Sequence, residues 1–547
     1  MKHLMPFLIL TLCWGGLLSK DSSDLNAIYL IKQQALKKSE VMDHLFQLVE
    51  VHGPRLTGSP GFRRAAEWAV KRLQEWGMDN TRLEKWGPYG HGWSYSRFSA
   101  HLISPQYEAL IGVPLGWTPG TSGPVRGTPL IAPLEKDVQA FISKYKGRLK
   151  GMIILAAKVQ SVKVAETAYF RRWTKDELGK LATAEQASPD QFDYSNPNLK
   201  IPTSPDKRRA YFENAPSWAI DRYRAQRQKR QNQLNQFLTE EGVALVIHPA
   251  TRGSGGTVFP PRMGSHNPED PLPPPAIALT PEHYNRIFRL VDRNLKPEIE
   301  VTTTTRFWSD DLNSINVVAE LAGTHSPEEV VMIGAHLDSV APGLGATDNA
   351  AGSAVMMEVM RIFKATGLSL DRTVRIVLWG GEEQGLLGSE AYVNKHFADK
   401  ETMELRPEHQ KLSAYYNLDN GGGRIRGIYL QENEMVRPIF ESWLKPFEDM
   451  GAATVSIRNT GFTDHVPFDA VGLPGFQFIQ DPLEYSTRTH HSNMDTYDRI
   501  QPGDLMQASA IIASFVYHTA NRTKLLPRKP LPAPPPSIPG NLQEEKN

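Results

Sequence analysis

The sequence predicts an α/β protein. It would be a three-layer sandwich around a mixed, mostly parallel sheet, with a β-rich unit inserted into it. Three observations carry this prediction. From about residue 306, strand-like apolar runs alternate with helical patterns, as in "EEVVMIGAH" (328–336), "NAAGSAVMMEVMRIFKAT" (349–366) and "RTVRIVLW" (372–379); such alternation marks helices packed on a covered sheet. Between about 105 and 305, short strands such as "GRLKGMIILAA" and "GVALVIHPA" follow one another with turn signals between them. Residues 25–85 have a helical character, so the second unit interrupts the first.

The chain opens with Lys2 and His3 ahead of an apolar run from Leu4 to Leu18. The run is short and terminal, so 1–20 reads as a cleaved secretory signal ending near Ser19, with an uncleaved anchor as the alternative. Cys13, the single cysteine, lies inside that run rather than after it, which argues against lipid attachment there. A mature chain without cysteine fits a periplasm or the extracellular space and no stable membrane insertion. The 61 Lys and Arg against 60 Asp and Glu give no electrostatic case for nucleic acid or an anionic membrane.

In "MDHLFQLVEVHGPRLTGSPGFRRAAEWAVKRLQEWGM" the helical spacing breaks around 53–60, and Ser59-Pro60 starts a second helix. The first domain is thus assigned 25–104 and 306–524, and the inserted unit 105–305. Inside the insert, about 165–240 reads as a polar helical insertion. It contains the basic stretch "KRRAYFENAPSWAIDRYRAQRQKRQ" (207–231), taken as a solvated helix face. Beyond 306 the expected strands are 315–321, 328–336, 372–379, 412–420 and 473–481, and the expected helices 349–366, 385–397 and 503–522. The tail 525–547 is Pro-rich and reads as extended or disordered. No internal repeat is evident.

In open α/β sheets the working site lies at the carboxyl ends of strands. His336 ends one strand, with Asp338 two residues on. Asp348 stands before a helix in "GATDNAAG". Glu382 and Glu383 follow a strand in "WGGEEQGLLGSEAYV". Asp419 ends "LSAYYNLD", and "RTHHSNMDTYD" supplies His490 and His491. Singly, each has an ordinary structural role: Asp348 as a helix cap, Glu383 as a first-turn glutamate, His491 as a surface histidine. Together, so many carboxylates in one cleft call for a cation. Imidazole and carboxylate without thiolate suit catalytic zinc, with manganese or cobalt as substitutes. Adjacent glutamates point apart, so one can bind a metal while the other takes a proton from water activated there. Asp338 is placed to accept the His336 ring N–H.

"GAHLDSV", "GATDNAAG", "WGGEEQGLLGS", "YNLDNGG" and "HHSNMDTYD" resemble, in order, the signatures of the co-catalytic two-zinc aminopeptidase and carboxypeptidase family. That family includes secreted leucyl-type aminopeptidases and plasma glutamate carboxypeptidase. The resemblance covers roughly 30–100 and 306–522. Residues 105–305 are similar, more weakly, to the inserted protease-associated domain. The resemblance implies two zinc ions, one held by His336 and Asp419, the other by Glu383 and His491, with Asp348 bridging. It implies Glu382 as general base and acid, and Asp338 as the group orienting His336. His491 rather than His490 matches the pattern H-[ST]-x-x-D-T. "FTDHVPFDAVGLP" (462–474) resembles the loop beside the family's substrate cleft, making Asp464 and His465 candidates for substrate contact, with a structural loop role equally open.

The expected function is a secreted zinc exopeptidase acting on peptides, an aminopeptidase first, a carboxypeptidase or dipeptidase second. A receptor-like relative without catalysis, as the transferrin receptor, and a one-metal glutaminyl cyclase are the other readings. The complete ligand set and Glu382 argue against both.

Overall fold

The computed structural model describes residues 21–134, 137–162, 164–186, 192–194, 201–341 and 343–535. The signal-type segment 1–20, the end of the Pro-rich tail from 536 and part of the helical insertion (187–191 and 195–200) lie outside the described residues. Among the described residues no helix is long and apolar enough to cross a membrane.

An eight-stranded sheet organises the molecule. Its order is Asp79–Trp86, Ser314–Leu321, Arg372–Trp379, Ser326–His336, Leu412–Asn417, Gly475–Gln480, Ile425–Tyr429, Thr454–Ser456. The strands Arg372–Trp379, Ser326–His336, Leu412–Asn417 and Gly475–Gln480 run parallel in the middle, and antiparallel pairings lie toward both edges. The mixed, mostly parallel sheet is as expected.

The reason for the layering shows in one strand. Along Ser326–His336, Val331, Ile333 and Ala335 enter one core, while Val330 and Met332 enter the other. Successive side chains point to opposite faces, so a strand that is apolar at every position must be covered twice. The first core is closed by helices Leu25–Lys37, Pro60–Glu75, Ala351–Thr366 and Pro502–Ala520, the second by Leu387–His396 and Val466–Asp469.

The helical expectation for 25–85 holds through Pro60–Glu75, where the Ser59 hydroxyl caps the helix by accepting the Phe62 N–H. It fails beyond. Asp79–Trp86 is a strand, antiparallel to Ser314–Leu321. "DNTRLEKW" is an edge strand, and its charged residues blunt the open edge at the expense of the alternation that would have revealed it.

Gly92–Ser104 pairs antiparallel with Glu298–Trp308, and the ribbon is widened by Glu108–Ala109 and Val125–Gly127. Between these strands lies a five-stranded sheet in the order Gly112–Pro114, Ala276–Leu279, Leu245–Pro249, Ile153–Leu155, Leu130–Ile131. It has its own core, including Phe141, Ile154, Val246 and Phe237. The insertion contributes helices Lys175–Ala182, Pro205–Glu213 and Ser217–Glu240. In the basic stretch Arg227, Lys229 and Arg230 are exposed, as a solvated face requires.

Candidate metal centre

The parallel strands deliver the site residues to one edge of the sheet. His336 is the last residue of its strand. Gly380 and Gly381 carry the chain out of Arg372–Trp379 to Glu382 and Glu383, and Leu418-Asp419 follow Leu412–Asn417. Asp348 stands just before helix Ala351–Thr366. His491 comes from the long loop after Gly475–Gln480, in a left-handed conformation with φ +61°.

These five side chains converge. His336 Nε2 lies 3.2 Å from Asp348 Oδ1 and 3.4 Å from Asp419 Oδ1. His491 Nε2 lies 3.2 Å from Asp348 Oδ2 and 2.9 Å from Glu383 Oε2. Glu382 Oε2 is 3.9 Å from His336 Nε2. His490 is more distant, 3.8 Å from Asp348 Oδ2, and stacks on His491. Donor atoms of His336, Asp348 and Asp419 lie within 4.8 Å of one another, as do those of Asp348, His490 and His491, and those of His336, Glu382 and Glu383.

The arrangement fits a bound cation. His336 Nε2, Asp348 Oδ2, Glu383 Oε1 and Asp419 Oδ1 are buried without a hydrogen-bonding partner, a costly state for polar atoms unless an ion engages them. Charge tells the same story. Burial alone would depress His336, but Asp419 and Glu382, with Asp338 and Asp348, hold its pKa well above the ordinary value. His491 is pushed up to about 10, its burial outweighed by Glu383 and Asp348. Burial raises Glu383, and it raises Glu382 well above the usual carboxylate range, with Asp419, Asp464 and Glu383 adding to the shift against His336. Without an ion, imidazolium is what balances these carboxylates; a divalent cation takes over that role and displaces the protons.

Several further residues hold the ligand-type groups in place. The Asp338 carboxylate accepts the Thr57 hydroxyl at 2.8 Å and the backbone N–H groups of Glu382 and Glu383 at 3.3 Å. His336 Nδ1 contacts the Asp338 carbonyl at 2.9 Å, with the carboxylate at 3.5 Å. Asp495 accepts the N–H groups of Thr347 and Asp348 at 2.7 and 3.0 Å, and burial pushes its pKa up to about 7. Arg55 is wholly buried and bonds the carbonyls of Leu48, Leu337, Leu344 and Gly345. Its pKa falls to about 10 through burial, against the pull of Asp495, Asp338, Asp348 and Glu383. Sequence reasoning missed Arg55 and Asp495. Arg55 carries no local signal, whereas Asp495 sits in "HHSNMDTYD" at a fixed offset from His491.

Of the loop candidates, Asp464 lies close enough to the cluster to affect Glu382. It is fully buried, accepts the Ser389 hydroxyl at 2.6 Å, and burial pushes its pKa up to about 8. His465 is not brought to the centre. It is buried, with Nε2 2.9 Å from the Thr460 carbonyl and 2.7 Å from Gln431 Nε2, and burial lowers it to about 4.

The sequence profile of Peptidase family M28 matches residues 316–516, a stretch that includes all five ligand-type residues and Glu382. Carboxypeptidase Q from Mus musculus is 24% identical over 489 residues, 89% of this chain and 87% of that protein. A solved peptidase M28 precursor from Shewanella amazonensis superposes with a TM-score of 0.63 at 23% identity, over 93% of this chain and 98% of the other. A zinc aminopeptidase from Bacillus subtilis does so with a TM-score of 0.51 at 19% identity, over 87% and 93%. Both structures share the fold. The cluster built above thus lies within the stretch, residues 316–516, that matches the profile of Peptidase family M28.

Proposed function

We propose that the chain is a zinc-dependent exopeptidase that holds two zinc ions. His336 and Asp419 would hold one, Glu383 and His491 the other, and Asp348 both. The observation that carries this is the division of Asp348: its two oxygens face different histidines, and each histidine has a second carboxylate of its own. The zinc aminopeptidase and carboxypeptidase Q among similar proteins support the same chemistry. Zinc bound there supplies Lewis acidity, polarising the scissile carbonyl and making water nucleophilic near neutral pH.

The chain's own groups do the rest. Glu382 takes the water's proton and hands it to the leaving amine, a role its carboxylate, 3.9 Å from His336 Nε2, is placed to fill. The Asp338 carbonyl accepts the His336 Nδ1–H, leaving Nε2 for the metal, while its carboxylate fixes the Glu382–Glu383 backbone.

For the direction of attack, a carboxylate-rich cleft favours a substrate's α-ammonium group, hence an aminopeptidase. One observation favours the second reading, a carboxypeptidase or dipeptidase. Arg262, from the inserted unit, reaches the Glu383 carbonyl at 2.5 Å and lies 4.0 Å from its carboxylate, with the side chain 61% exposed. Though paired with Glu383, it keeps an exposed guanidinium at the cleft for a terminal carboxylate, whereas Arg458 and Arg488 are paired with Glu213 and Glu484 away from the ligand-type residues. Identical peptides with free, acetylated or amidated ends decide the matter. Loss on acetylation alone means an aminopeptidase, loss on amidation alone a carboxypeptidase, and loss with both a dipeptidase.

The separate core of the inserted sheet supports the assignment of 105–305 as a protease-associated-like unit within a discontinuous peptidase domain, 25–104 with 306–524. Export by a cleaved 1–20 segment belongs to the same reading, and N-terminal sequencing of exported protein tests it.

A further inference from the structure

Four of the five ligand-type side chains are fixed by packing. Those of His336, Asp348, Glu383 and Asp419 are 1%, 5%, 1% and 8% exposed, whereas that of His491 is 35% exposed. His491 therefore depends on its backbone for its position, and that backbone is left-handed at φ +61°. A non-glycine residue holds such a conformation only where its surroundings over-determine it. What determines the loop thus decides where His491 points.

Much of the answer lies outside the peptidase domain. A short segment of the helical insertion, Tyr169–Trp173, runs along the loop that follows Gly475–Gln480. The Trp173 indole N–H donates to the Gln480 carbonyl at 2.8 Å, and its backbone N–H donates to Asp481 Oδ1 at 2.9 Å. Arg172 Nη1 bonds Asp481 and Asp504 at 2.8 and 2.7 Å. The Arg171 N–H donates to the Leu483 carbonyl at 3.2 Å, as a β-bridge. The Tyr169 carbonyl accepts the Thr487 hydroxyl at 3.0 Å, and the Tyr169 ring lies under the Arg488 guanidinium, 5.3 Å from its centroid. Contacts therefore recur at 480, 481, 483, 487 and 488, up to three residues before His491. The peptidase domain holds the loop through Thr347, whose hydroxyl donates to that of Thr489 at 2.8 Å, and through Asp495 beyond His491.

We infer that Tyr169–Trp173 is a positioning element for the metal centre, setting His491 against Asp348 and Glu383 from within the inserted unit. This rests on the metal-binding reading above. None of these residues touches substrate or metal; they act through the loop. The insertion is then a working part of the hydrolytic site, and the binding of the ion at Glu383 and His491 is coupled to the seating of the inserted unit on the peptidase domain.

The test is competitive chelator titration of the full zinc-loaded chain, following both ions, with cobalt substitution as a spectroscopic readout. Arg172→Ala is the first variant. Its removal leaves no bare charge, because Arg426 still pairs with Asp481 and Arg424 with Asp504. Tyr169→Ala is the second, and it keeps the test decisive if the first fails to fold. Changes to groups that orient a metal ligand typically cost about 10–100-fold in metal affinity. The expected result is a loss of about tenfold or more for one ion, the other keeping its wild-type affinity, with an altered cobalt spectrum. Unchanged affinity for both ions, or equal weakening of both as general destabilisation would give, overturns the inference. Failure of the wild-type chain to bind two ions would instead overturn the proposed function on which it rests.

Discussion

Asp348 turns its two carboxylate oxygens to different partners, Oδ1 to His336 Nε2 and Oδ2 to His491 Nε2, each at 3.2 Å. Asp348→Ala is therefore expected to empty both halves of the centre, and Glu383→Ala only one. Elemental analysis of the purified variants distinguishes them. A full complement of metal in Asp348→Ala would remove the bridging role.

In the proposed mechanism Glu382 has a different task, and its removal should have a different signature. Glu382→Gln preserves shape and removes only the proton transfer, so fold and metal content should persist while kcat falls by about 10²–10⁴-fold. Near-normal turnover in Glu382→Gln, with turnover lost in a Glu383→Gln that keeps its metal, would exchange the two roles.

Stripping the metal should make stability pH-dependent in a set direction. In the ion-free protein His491 is raised to about 10, so its stabilising contribution is complete below its unfolded value, about 6.5, and is lost as pH rises through 10. Asp495 and Asp464, raised to about 7 and 8, act in the same direction between their unfolded values near 3.8 and those pH values. A bound divalent ion offsets the same charges. The gap in Tm between loaded and chelated protein should therefore be wider at pH 9 than at pH 6, and binding should release protons. An equal gap at both pH values would contradict this account.

A fourth prediction concerns the glycine that closes "GATDNAAG". A Cβ on Gly352 would meet the Leu418 carbonyl at 2.3 Å. That carbonyl also accepts the Asn349 side chain at 2.8 Å, so the contact joins the segments carrying Asp348 and Asp419. Gly352→Ala should push these apart, lowering metal affinity while circular dichroism shows the helices retained. Wild-type affinity would show that the close approach is unimportant.

The sheet centre was legible because buried parallel strands are apolar throughout and end in chemically active residues. His336 ends such a run, Glu382, Glu383 and Asp419 follow one, and the fold brings the four side chains close together. Asp79–Trp86 was not legible, since an edge strand advertises charge rather than alternation. Arg55 was hidden for another reason. Its role is to bind the carbonyls of Leu48, Leu337 and Leu344-Gly345, three segments that meet only in the folded chain. The orientation of Asp338 could be inferred only in part: spacing put it beside His336, but its carboxylate serves the Glu382–Glu383 turn. The Tyr169–Trp173 contacts left no mark at all, because several of them are made by backbone atoms that any residue possesses.

The ribbon of Gly92–Ser104 and Glu298–Trp308 has a consequence for how such a chain folds. Ser104 faces Glu298 across the pair, so the segment between them leaves and rejoins the ribbon at neighbouring points. Closing a loop costs free energy that grows only slowly with its length, and once the two strands zip together that cost no longer depends on what lies between them. The peptidase sheet can then assemble around a fixed pair of ends. The insert is free to vary in length and content, provided that it returns to the same place and presents the right surface to the loop it leans on.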